Sequence, residues 1–278
     1  MIHRRRAKPL LGTLVDIGVI AESQAHADAA INAAFSEVAA IHGLMSFHQP
    51  DSDLARINAC PPGGATMVDL RTAAVLHAAQ SAALESEHAF DCTVASELVA
   101  AGLLPAVAGF HPGPAAPGEV RWRIEGSTCH KLAPCLLDLG GIAKGYAVDR
   151  ALAVLLQHGC TEILINAGGD LRYHGSEPMV VHLRSPGKPD SMPLAVSLYN
   201  EALASSSAGG LNADGLGQHS AVFDGTTRRA LPPGSAASVI APTCMDADLL
   251  TKVVLASRNP RHPMLGRRRA QVAFFGTP

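Results

Sequence analysis

Between Asp138 and Asp149 the chain reads DLGGIAKGYAVD, and this stretch restricts the fold more than any other. The apolar pair Leu136 and Leu137 leads into an acid, two glycines, a lysine and a third glycine, after which helical spacing starts at Tyr146. A loop feeding a helix is the expected local structure. Glycines let a ligand approach the backbone closely, and the first helical turn offers unpaired N–H groups and positive dipole, so the pattern suits a phosphate or pyrophosphate. Gly-Gly is also ordinary punctuation between a strand and a helix, and both readings stand at this point. The stretch is neither a Walker loop, because no Ser or Thr follows Lys144, nor the dinucleotide fingerprint, whose third glycine falls elsewhere.

The remainder of the chain can supply a core around that loop. Its 278 residues are 47% hydrophobic, enough for one large domain or two modest ones, and a single domain over residues 1–278 is expected. A net charge of −2 provides no field to attract nucleic acid or a membrane surface. The basic clusters Arg4 to Arg6, Arg228 with Arg229, and Arg267 to Arg269 are short and read as solvated. Six cysteines contain no CxxC pair, so they are expected as inert thiols and not as a zinc site or disulfide scaffold. Nothing reaches the roughly 18 apolar residues of a membrane helix, and Asp16 interrupts the apolar run near the amino terminus. The chain is therefore read as soluble and cytoplasmic, without membrane insertion.

Periodicity sets out the other elements. Leu10 to Ile20 alternates as an opening strand with LGT at its start, and His26 to Met45 is an amphipathic helix with Ile31, Phe35, Val38, Ile41 and Met45 on one face. Ser52 or Asp53 is placed to cap a short helix, and Asp69 a longer one over 70–87. Residues 101–118 hold four prolines and four glycines, an irregular connection. Strands are expected around 120–124, 163–165, 180–183, 194–198 and 221–224, while the serines of ALASSSAGG at 202–210 read as polar turns. Thr243 with Asp246 has capping-box spacing, and the helix begun there puts Asp248 and Thr251 on one face. A carboxylate and a hydroxyl so placed suit a hard cation such as Mg²⁺; a well-capped helix explains the acids equally well.

Taken in order, LGT, MSFHQPDSDLARIN, AFDCTV, DLGGIAKGYAVD, INAGGDLR, ASSS, VFD and ADLLTK resemble the ApbE family of flavin transferases, from about Leu11 to Lys252. The resemblance implies a two-lobed α+β fold with mixed or antiparallel sheets, flanking helices and a flavin cleft between the lobes. It implies a Mg²⁺-dependent enzyme that moves FMN from FAD to a threonine hydroxyl of an acceptor flavoprotein and releases AMP. Family FAD contacts fall on His48, Ala89, Phe90, Asp91, Asp138, Lys144 and Phe223, with Leu11 where the family usually has methionine. Metal ligands fall on Asp248, Thr251 and the main-chain carbonyl of Gly141, with Asp248 also serving catalysis.

Two further departures from the family pattern stand out. Its metal Asp and Thr are commonly four apart, against three here. Its HxxDP motif carries a candidate base, but Ala221 takes that histidine's position. His219, two residues earlier and about 6–7 Å along a strand, is the proposed substitute. Two other readings accompany the transferase: a Mg²⁺-dependent FAD pyrophosphatase giving FMN and AMP, and a flavin-binding protein without turnover.

Overall fold

The structure, a computed structural model, describes residues 1–112, 118–183, 194–209 and 220–276. The chain opens with β1 (Ile2–Leu10) and β2 (Thr13–Ala21), followed by α1 (Gln24–Met45), α2 (Asp53–Ala59), β3 (Ala65–Met67) and α3 (Leu70–Glu85). A 3₁₀ turn at Cys92–Val94 and α4 (Ala95–Ala100) precede β4 (Trp122–Glu125) and β5 (Thr128–Lys131). Then come α5 (Ala143–Gln157), β6 (Glu162–Ala167), β7 (Asp170–His174), β8 (Met179–Leu183), β9 (Leu194–Leu198) and β10 (Ala202–Ser207). The short strands β11 (Phe223–Asp224) and β12 (Arg229–Ala230) lead to β13 (Ala236–Ala241), α6 (Cys244–Ser257), α7 (Pro263–Arg267) and β14 (Gln271–Gly276).

Seven strands form the main sheet in the order β1-β2-β6-β7-β10-β13-β14, every neighbouring pair antiparallel. Along β2 and β6 the alternate residues Val15, Ile17, Val19, Ile163 and Ile165 turn inward and are almost fully buried, as the period of two requires. Over that face α1 packs on α5, α5 on α6, and α6 on β10 and β13. A smaller sheet, β3-β5-β4, contributes Trp122, Ile124 and Cys129 to the same core. The α+β class with flanking helices thus holds, and the paired strands described are antiparallel throughout.

Local signals explain the helix starts. Ser23, Ser52, Asp69 and Thr243 each accept a backbone N–H of the first turn, from His26, Ala55, Arg71 and Asp246 respectively. In α1 the stripe Ile31, Phe35, Val38 and Ile41 is buried, and each side chain contributes about 1.5–3 kcal/mol before chain entropy is counted. All six cysteines are free thiols and five are buried.

Three expectations need correction. The first strand is not Leu10 to Ile20: residues 2–10 form a strand of their own, and Leu11 and Gly12 make the hairpin turn. This β1 escapes periodicity because it is an edge strand, where arginines and Pro9 are tolerated. Its arginines are partnered rather than simply solvated: Arg4 bonds Asp28 at 2.9 Å, Arg5 pairs with Asp16, and Arg6 bonds Asn32 at 2.7 Å. The serines at 205–207 lie in β10, not in turns, because β13 pairs with the whole strand and cross-element partners satisfy the hydroxyls of Ser205 and Ser206.

Candidate functional site

A cavity of about 500 Å³ lies where the Gly-rich loop meets the ends of α1 and α3 and the β11 segment. Leu11 reaches it from the β1–β2 turn and exposed His48 from the loop after α1. Ala89, Phe90 and Asp91 line it from the segment after α3, Asp138, Gly141 and Lys144 from the loop and first turn of α5, and Phe223 from β11. The aromatic face comes from Phe90, whose ring would stand 3.3 Å from a Cβ on Gly141. Asp91 Oδ1 accepts the Thr93 N–H at 2.8 Å and so starts the 3₁₀ turn that fixes Phe90 and Asp91. The 221–225 segment can lie against this corner because residue 225 is glycine, where a Cβ would meet His88 O at 2.3 Å.

Beneath the pocket runs a row of alternating charges. Lys252 Nζ donates to Asp248 Oδ1, and also to the Asp248 main-chain oxygen at 3.1 Å. Asp248 Oδ2 accepts the Gly145 N–H at 3.2 Å and lies 3.9 Å from Lys144 Nζ, which itself pairs with Asp170 Oδ2. Asp248 and Asp170 are buried to 0% and 1% exposure, whereas both lysines border the cavity. Burial pushes the Asp248 carboxyl up, but the ammonium groups of Lys252 and Lys144 outweigh it and hold the pKa below the ordinary value. Asp170 is pushed up to about 7 by burial and then by the Asp248 charge, and its Oδ1 has no hydrogen-bond partner among the described residues. Burial opposes the charge on Lys144, yet Asp248 and Asp170 raise its pKa. At the pocket wall, burial raises the Asp138 carboxyl against the opposing amides of Gly140 and Leu139 and the nearby His48 and Lys252.

Asp248 and Thr251, the two side chains expected to hold Mg²⁺, do not fit a dication in this arrangement. Thr251 is fully buried, and its hydroxyl donates to the Asp248 main-chain oxygen at 2.7 Å and meets Ser206 Oγ at 2.7 Å. Both Asp248 carboxylate oxygens are taken, one by an ammonium and one by an amide with a second ammonium nearby. Asp170, Asp248, Lys144 and Lys252 sum to zero charge with the acids ionised, so no net negative charge draws Mg²⁺, which also retains several waters.

Leu11, His48, Ala89, Phe90, Asp91, Asp138, Gly141, Lys144 and Phe223 are thus gathered on one cavity, with Asp248 and Thr251 directly behind it. His219 lies outside the described residues. Sequence reasoning did not single out Lys252, although the altered Asp–Thr spacing was a signal: the residue four beyond Asp248 is this lysine. Asp170 entered only within the INAGGDLR motif, and nothing local marks it as the partner of Lys144.

Fold and pocket together define an antiparallel α+β protein whose cavity has an aromatic wall and a lysine-bearing floor at a helix N-terminus. The ApbE family profile matches residues 11–275. Three solved structures superpose closely. Flavin transferase ApbE from Vibrio cholerae has TM-score 0.79 and 24% identity, covering 98% of this chain and 92% of that one. The ApbE protein of Thermotoga maritima has TM-score 0.79 and 24% identity, over 92% and 87% of the two chains. The apo flavinyl transferase ApbE of Pseudomonas stutzeri has TM-score 0.77 and 21% identity, over 92% and 84%. A curated relative, the FAD:protein FMN transferase of Rhodobacter capsulatus, is 40% identical over 75 residues, which span 26% of this chain and 14% of that protein. The chain belongs to the ApbE family.

Proposed function

We propose that this protein is an FAD:protein FMN transferase acting as one unit over residues 1–278, with a threonine hydroxyl of an acceptor flavoprotein as the receiving group. The observation that carries the reading is Lys144 and Lys252 bordering the same cavity as Phe90: cationic groups for a pyrophosphate beside a flat face for a ring. Family membership and the FMN transferase activity named for the Rhodobacter relative support it.

In the proposed reaction the acceptor hydroxyl oxygen bonds to the FMN phosphorus. The bond from that phosphorus to the bridging oxygen breaks, and AMP leaves with the bridging oxygen and the electron pair. The hydroxyl proton passes to His219, the proposed base. Positioning and charge neutralisation supply most of the catalysis in such displacements. Phe90 and His48 hold the ring, Asp138 accepts from its polar edge, and Lys144 and Lys252 neutralise the pyrophosphate oxygens. Asp248 and Asp170 are positioning residues that hold the two lysines. Mg²⁺ ligation by Gly141, Asp248 and Thr251, as the resemblance implies, has no part in this reading because Asp248 is already paired.

The test is purified protein with FAD and an acceptor domain carrying a target threonine, followed by intact-mass and nucleotide analysis. An acceptor heavier by FMN, with AMP released, supports the proposal. FMN and AMP without acceptor labelling would show hydrolysis, and unchanged FAD a binding protein. Among the described residues no helix is long and apolar enough to cross a membrane. The cytoplasm is the proposed location, checked by cell fractionation.

A further inference from the structure

The residue at Asp248 best placed to act as a cation is one of the chain's own. Lys252 stands one helical turn after Asp248 in α6, so its side chain folds back over the carboxylate, and it meets both Oδ1 and the main-chain oxygen. Its methylenes reach the Gly-rich loop, where Cε would lie 3.6 Å from a Cβ on Gly141. The ammonium thereby sits between the two places, Asp248 and the Gly141 turn, from which an ion at this pocket would draw its oxygens. The side chain is 18% exposed and borders the cavity, while Asp248 behind it is sealed from solvent.

We propose that Lys252 is a built-in monovalent cation replacing a divalent metal in this site, so that the protein binds the pyrophosphate of FAD without Mg²⁺. The inference rests on the transferase reading for the identity of the ligand. Its physical basis is charge. Displacing the ammonium would leave it without its carboxylate and add two positive charges beside Lys144 in a buried cluster that is already neutral. The cost of burying unpaired charge exceeds what a single carboxylate returns. A lysine anchored on Asp248 is instead pre-organised toward an anion in the cavity and spends little side-chain entropy when the ligand arrives. Both lysines border the cavity, so each can face an oxygen of a pyrophosphate bound there.

The experiment measures FAD affinity by fluorescence quenching in EDTA and in millimolar Mg²⁺, for the intact protein and for Lys252→Met, Lys252→Arg and Lys252→Thr. In the intact protein the two Kd values are expected to agree within about twofold. Lys252→Met is expected to weaken FAD binding by about tenfold in both conditions. Lys252→Arg restores most of the affinity, and Lys252→Thr recovers it only with Mg²⁺. FAD affinity of the intact protein that collapses in EDTA and returns with Mg²⁺ overturns the inference. So does stoichiometric Mn²⁺, seen by electron paramagnetic resonance, that is lost in Asp248→Asn. Absence of FAD binding in both conditions overturns it too. The intact protein decides the matter alone if a variant does not fold. Acceptor labelling, run in the same two conditions, separates the two claims. Metal-independent FAD binding without labelling keeps this inference and rejects transfer, whereas FAD binding and labelling that both require Mg²⁺ keep transfer and reject this inference.

Discussion

The Asp149 carboxylate, near the middle of α5, accepts the backbone N–H of Cys244 at 2.8 Å across 95 residues of sequence, and its second oxygen accepts Met245 N–H at 2.8 Å. Two of the orphan amides at the start of α6 are thus capped from another helix. That contact fixes how α6 meets α5, which in turn lets the Gly145 N–H reach Asp248 and brings Lys144 close to the same carboxylate.

Burial raises the Asp149 pKa from 3.8 to about 6, against the opposing amides of Cys244 and Met245. Because the folded value lies above the unfolded one, this group's contribution to stability is fully present below about pH 4 and is lost as pH rises through about 6. The full change corresponds to about 3 kcal/mol. Urea denaturation across this range should show the stability difference between the intact protein and Asp149→Asn shrinking by that order as pH rises. A difference that stays level with pH would refute the assignment.

A Cβ at residue 145 would lie 2.3 Å from the Cys244 main-chain oxygen and 2.8 Å from Met245 Cα, so only glycine allows α5 and α6 to touch there. Gly145→Ala is expected to cost about 1–3 kcal/mol through overpacking. It should also weaken FAD binding, since Asp248 and its lysines shift with α6. Thermal unfolding and FAD titration check both effects, and a variant with unchanged affinity would disconnect the helix contact from the pocket.

Leu11 sits at φ +55°, followed by Gly12 at +70°, a two-residue turn in which a leucine is strained by about 1–2 kcal/mol. Its side chain nevertheless lines the cavity. Leu11→Asn should raise stability by about 1 kcal/mol, because Asn tolerates the left-handed region, while FAD affinity falls for want of the apolar contact. A gain in both would show that the strain serves no ligand.

Arg228 holds the β11–β12 hairpin to α4. Its guanidinium bonds Glu97 at 2.8 and 2.6 Å, Thr93 Oγ1 at 2.8 Å and the Thr93 main-chain oxygen at 2.7 Å. Arg228→Gln should cost about 1.5–3 kcal/mol and free the Phe223 wall. Increased proteolysis near residue 223 and a faster FAD off-rate are the measurements; an unaltered off-rate would show that Phe223 is held by other contacts.

What the amino-acid order determined by itself was local. The α1 stripe and the caps at Ser52, Asp69 and Thr243 are short-range signals, because a helix and its first turn are built from residues three or four apart. The family resemblance carried by the Gly-rich loop, AFDCTV and VFD also named Ala89, Phe90, Asp91, Asp138, Gly141, Lys144 and Phe223 among the residues that line the cavity. Tertiary structure decided the rest. An arginine-rich edge strand exists because β2 supplies its ladder, and three serines extend because β13 does the same. Most of all, whether Asp248 serves a metal or an ammonium depends on the charges that folding gathers around it. Lys144 and Asp170 lie far away in sequence and act only across a few ångströms in a buried, weakly screened interior. Lys252 was close by in sequence, but its pairing with Asp248 follows from the burial that makes an unpaired carboxylate costly.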